Sequence, residues 1–200
     1  MSEKIKEEGS KMQLNLKRMI VALAAVAVLG TGSVFASPPA PSADSSTYLS
    51  TRASTLLAEV QEEAVGLTRH AETLWTFAGK PMYSWESHAF YLDKVKDHIN
   101  AVGERTAELQ RISNAVLPWQ QKAITEVTGY AAQVAASTQA AIVHLRENQN
   151  RLFVSVYRDH LTTIADRSED MKQAVDTFLD YEKTHEKLQQ LQNKLELSGD

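Results

Sequence analysis

The sequence predicts an all-α protein: an up-down-up-down four-helix bundle of long antiparallel helices, preceded by a signal peptide and a short Pro-rich linker. Three observations lead there. All five prolines (Pro38, Pro39, Pro41, Pro81 and Pro118) fall at boundaries, and only eight glycines accompany them in 200 residues, so helix-ending punctuation is sparse and clustered. Between the boundaries, apolar residues recur at alternating steps of three and four, the period of a helix packed along its length. The connections left between these runs are short, which makes consecutive helices fold back on one another.

Residues 1–36 read as a cleaved signal peptide. Lys17 and Arg18 precede the twelve-residue apolar run MIVALAAVAVLG, and TGSVFA follows, with small Val34 and Ala36 at the −3 and −1 positions of a cleavage site. Met12 already opens a complete basic leader, MQLNLKR. An uncleaved anchor is the rival reading, but twelve helical residues span only about 18 Å against a hydrocarbon core of about 30 Å. The expected destination is the periplasm or the exterior, with no membrane span after cleavage. The stretch SPPAPSADSS (37–46) has three prolines and no large apolar side chain, the composition of a linker. The bundle domain is expected over 47–197.

The first helix is predicted from Thr47 to Ala78, stopped by Gly79, with the seam Leu49, Ala53, Leu56, Val60, Glu63, Leu67, His70, Leu74 and Phe77. The second follows the N-cap residue Ser84 and runs to about Ala115. Its seam is His88, Leu92, Val95, Ile99, Val102, Thr106, Leu109 and Ser113. Pro118 suits a first helical turn and opens the third helix, to about Glu147, with Ile124, Val127, Ala131, Val134, Thr138, Ala141 and Leu145 in line. The fourth spans about Val156 to Leu195 and carries Leu161, Ile164, Met171, Val175 and Phe178, then Leu188, Leu191 and Leu195. Being longest, it is expected to overhang, leaving its C-terminal end for a protein partner or a second copy. Gly103 and Gly129 fall at similar heights in the second and third helices, which predicts a close backbone approach there.

Composition narrows the chemistry. No cysteine is present, so disulfides, thiolate metal sites, cysteine nucleophiles and covalent haem are excluded. The net charge is −4. Cleavage after Ala36 would leave 16 basic and 22 acidic residues, a net −6 that gives no electrostatic reason for nucleic-acid binding. Bundles that hold two metal ions use Glu-x-x-His on two helices and a Glu on each of the others. Here only Glu182-Lys183-Thr184-His185 has that form, while His144 and Glu147 occur in reverse order. Haem bundles of the cytochrome b562 kind take a Met from the first helix and a His from the last. The first helix here holds no Met, and the likeness ends at architecture. With no Ser/His/Asp set, phosphate loop or His-Glu-x-x-His motif, no enzyme activity is expected.

One constellation is positional. The turn between the first two helices and the connection between the last two should share one end of the bundle. His70, His88, His144 and His160 all map to it, and neutral imidazoles converging there would suit Zn²⁺, Cu²⁺ or Ni²⁺. Six of the fourteen aromatic residues lie in 74–91. Trp75, Phe77, Trp85 and Phe90 are expected to cap this end together with Phe153 and Tyr157. The expected function is an exported binding or structural module without a catalytic site. The alternative is a transition-metal or small-ligand carrier using these histidines.

Overall fold

The computed structural model describes residues 43–80 and 82–197. The expected signal peptide and residues 37–42 of the expected linker lie outside the described residues. The described chain is all helix and connection: α1 (Ala43–Phe77), α2 (Trp85–Ile112), a short 3₁₀ turn (Ser113–Ala115), α3 (Pro118–Glu147) and α4 (Ser155–Leu197). Helix α1 begins four residues before the expected Thr47. Pro41 is the last proline before the bundle, and no residue from Ala43 onward blocks helical backbone. No described helix is long and apolar enough to cross a membrane.

The four helices pack against one another, α1 and α3 each lying between α2 and α4. Side-chain bonds record how α1 and α2 are aligned. Arg52 Nε donates to Glu108 at 2.8 Å, Arg105 Nε to Glu59 at 3.2 Å, and His98 Nδ1 to Glu63 at 2.7 Å. Residue numbers fall along α2 as they rise along α1. The same holds on α4, where Glu182 meets Ser54, Asp176 accepts from Gln61 and Thr162 accepts from Trp75.

The predicted seams supply much of the core. All seven seam residues of α3 are buried, as are those of α2 from His88 to Leu109. On α1 the buried face is wider than one seam: Leu57, Ala64 and Ala71 are as enclosed as Leu56, Val60 and Leu67. Each large apolar side chain taken out of water contributes about 1.5–3 kcal/mol, and this continuous apolar interior holds the helices together.

Gln120, 1% exposed, ties three elements at the end where α3 begins. Its Oε1 accepts the Leu117 N–H at 3.1 Å. Its Nε2 donates to the Ser50 carbonyl at 2.8 Å and to Ser54 Oγ at 3.0 Å. Ser54 in turn donates to Glu182 of α4. A buried amide is tolerated because its bonding capacity is used.

The expected backbone approach at Gly103 and Gly129 does not occur. Both residues are exposed, and a Cβ added to either would have no atom within 4 Å. The close approach is at Gly66 of α1, where a Cβ would stand 2.4 Å from Cε1 of the His98 ring.

Candidate functional site

The α1–α2 and α3–α4 connections meet at one end of the structure, and local sequence explains how. Helix α1 ends at Phe77, and Gly79 adopts φ = 76°, the left-handed conformation that glycine takes without a Cβ penalty. The Lys80 N–H then returns to the Phe77 carbonyl at 3.0 Å. Ser84, extended at φ −74° and ψ 160°, precedes α2. Across from it α3 stops at Glu147, the Asn148 N–H bonding the His144 carbonyl at 2.8 Å, and α4 restarts at Ser155.

Between these connections the structure encloses Tyr157. This residue of α4 is fully buried, and its hydroxyl lies 3.0 Å from His88 Nδ1 on α2, itself only 2% exposed. His144 of α3 stacks on the Tyr157 ring with centroids 5.1 Å apart, and its Nε2–H donates to the Arg151 carbonyl at 3.3 Å. Phe77 meets His88 edge-on at 5.5 Å and stacks on Tyr83 at 4.0 Å. Burial pushes the Tyr157 phenol far above its ordinary value and holds the His88 imidazole below 6.5. Each group stays neutral because a charge there would lose its water.

The expected aromatic cap is therefore smaller and differently composed. Phe77 and Tyr157 are buried, with Tyr83, His88 and His144 packed around them. Trp75, Trp85, Phe90 and Phe153 stay 51%, 38%, 57% and 63% exposed. Trp75 sits one residue past buried Leu74, and Phe90 sits midway between buried His88 and Leu92, so both are off the inward rows of their helices. Trp75 turns its indole N–H to Thr162 on α4 at 3.2 Å, and Phe90 lies against Tyr91 with Lys94 above its ring. Trp85 and Phe153 do something else. They line a cleft of about 310 Å³ between the connections, together with Phe77, Lys80, His88 and Asn150.

The four predicted histidines are divided. His88 and His144 both reach Tyr157, whereas His160 takes part in none of these contacts. His70 lies deeper along the α1–α2 interface, stacked on His98 at 5.1 Å and tilted against Tyr91 at 6.1 Å. Burial first, then the neighbouring His98, Arg69 and Lys94, hold His70 below its ordinary value. Among the described residues, no three histidine or carboxylate side chains gather where they could hold one metal ion.

His98 is a participant that periodicity alone does not select. Its Nδ1–H donates to Glu63 at 2.7 Å, its ring covers Gly66, and His70 stacks on its face. The available signal was Glu63, the one acid on a largely apolar seam, which calls for a donor across the interface.

At the opposite end, α4 continues beyond the core. Every residue from Lys183 to Leu195 is exposed, including Leu188 at 53% and Leu191 at 49%. The chain matches no protein-family model, no curated protein and no solved structure.

Proposed function

We propose that this chain is an exported, up-down-up-down four-helix bundle that binds rather than catalyses, and that its docking element is the projecting end of α4, which pairs with a second copy. The cross-helix bonds from α1 to α2 and to α4 support the antiparallel winding. The charged leader, short apolar run and Val-x-Ala exit support export and cleavage after Ala36.

The observation that carries the docking assignment is the exposure of Leu188 and Leu191 on the part of α4 that lies beyond the core. Tyr181, Thr184, Leu188, Leu191 and Leu195 repeat at steps of three and four, the a/d pattern of a two-stranded coiled coil. Lys187 and Lys194 flank the stripe on one side, His185 and Gln192 on the other. Parallel pairing sets Lys187 beside Gln192 of the other copy, whereas antiparallel pairing would bring lysines together, so charge favours the parallel arrangement. A seam this short buries less than the roughly 1,200 Å² of a standard interface, which makes the association weak and concentration-dependent.

Sedimentation velocity over a range of concentrations, with and without residues 187–200, is the test. Reversible dimerisation lost on truncation is expected. A monomer in both cases would remove self-pairing. The intact mass of protein recovered from producing cells tests export separately, a full-length membrane-extracted species being the contrary result.

A further inference from the structure

The cleft at the other end of the molecule has the features of a small-molecule site that the docking assignment does not use. Its chemistry starts with the buried Tyr157 hydroxyl. Among the described residues the hydroxyl has one hydrogen-bond partner, His88 Nδ1 at 3.0 Å. A buried O–H left undonated is strongly unfavourable, so Tyr157 donates and Nδ1 accepts. In a neutral imidazole the proton then resides on Nε2. That Nε2–H makes no hydrogen bond to any described residue. His88 is 2% exposed and lines the cleft. A buried histidine whose tautomer is set by Tyr157 therefore belongs to the cleft lining.

The rest of the lining fits one kind of ligand. Lys80 supplies a cation, Arg158 passes beside Gly79 just outside, and no carboxylate belongs to the described lining residues. Trp85 and Phe153 supply exposed rings at the mouth. A volume of about 310 Å³ lies at the lower edge of the roughly 300–1,000 Å³ range of ligand sites, which limits the occupant to about one ring and its substituent.

We propose that this cleft binds a small carboxylate borne on an aromatic ring, the carboxylate accepting from His88 Nε2–H near Lys80 and the ring packing with Trp85 and Phe153. Donor and cation select an anion, and the rings select a flat apolar body. Tyr157 acts as a positioning residue, touching no ligand but fixing which nitrogen of His88 carries the proton.

Phenylacetate is the probe, with 2-phenylethylamine and acetate as controls for the anion and the ring. Titration of the full chain, followed by ligand-detected NMR, should show saturable phenylacetate binding with a Kd on the order of 1 mM and far weaker binding of both controls. Lys80→Gln and Phe153→Ala change exposed side chains, so the fold is retained, and each should weaken phenylacetate about 3–10-fold. Nitrogen-15 NMR should place the His88 proton on Nε2, and Tyr157→Phe should release that preference. Equal binding of the amine, absence of saturation, or affinities unchanged in both exposed variants would overturn the proposal. None of these readouts depends on whether the α4 ends pair.

Discussion

Replacing Gly66 by alanine sets two effects of known sign against each other. Alanine is favoured over glycine inside a helix by about 0.8–1.0 kcal/mol, so the exposed substitutions Gly103→Ala and Gly129→Ala, with nothing within 4 Å of the new Cβ, should stabilise by about that amount. At Gly66 the new Cβ would lie 2.4 Å from His98 Cε1 and 2.8 Å from Nε2, well inside the roughly 3.5–4.0 Å of ordinary carbon contact. The imidazole must swing away. It then gives up its bond to Glu63, about 0.5–1.5 kcal/mol net for a half-exposed pair, and its stacking on His70, about 0.5–1.5 kcal/mol. The gain at the exposed glycines and the loss at Gly66 should separate Gly66→Ala from the other two by about 1–3 kcal/mol. Urea denaturation followed by far-UV circular dichroism measures this, and on heating the gap should be about 2–4 °C per kcal/mol. In a His98→Ala background the obstacle is gone, and Gly66→Ala should stabilise like its two controls. Equal stabilisation at all three glycines with His98 present would refute the close approach.

Leu109 is fully buried, so Leu109→Ala should destabilise by about 2–5 kcal/mol. Glu108→Ala, which removes only an exposed ion pair with Arg52, should move the urea midpoint far less, and equal shifts would count against the seam. His88 and His70 are held below 6.5 by burial. The unfolded chain therefore binds protons that the folded chain refuses, and stability present above pH 6.5 should decline as pH falls below it. Glu108, held below 4.5 by its hydrogen bond from Arg52, and Glu169, held there by Gln173 and Lys172, withdraw their contributions only in more acid solution. Urea midpoints should thus drop between about pH 7.5 and pH 5, and less steeply in His88→Gln. A midpoint that rises over that interval would contradict the burial of these rings.

The helices were legible because each rests on a repeated local signal. The seven-residue seam of α3 is buried without exception, since a single period suffices to mark an inward row. Helix α1 shows where that logic stops. A second inward row, Leu57, Ala64 and Ala71, is buried beside its seam, and a single period does not reveal it. The histidines met the same limit. Proximity to a connection assigned His88 and Tyr157 to one end of the bundle, and as core residues of helices that meet there they are in contact. It misplaced His70, whose partner His98 is set by the relative height of α1 and α2, a quantity no single helix encodes. Trp75 and Phe90 were expected inside on the strength of size, but rotation about the helix axis decides, and both fall off the inward rows.

Gln120 bears on a different question, how α3 finds its position along its neighbours. Helix α3 is smooth: Ala131, Ala132, Ala135, Ala136, Ala140 and Ala141 repeat over much of its length. An alanine surface looks nearly the same after a slide of one turn, so apolar burial alone distinguishes weakly between sliding positions. Polar atoms are less forgiving, since Gln120 displaced by one turn of about 5.4 Å loses both of its bonds to α1 at once. With Leu117, Ser50 and Ser54 all engaged by one side chain, Gln120 works as a vernier mark. It makes a single alignment of α1, α3 and α4 lower in energy than its neighbours one turn up or down, and confers on an alanine-rich helix a uniqueness that its apolar face does not contain.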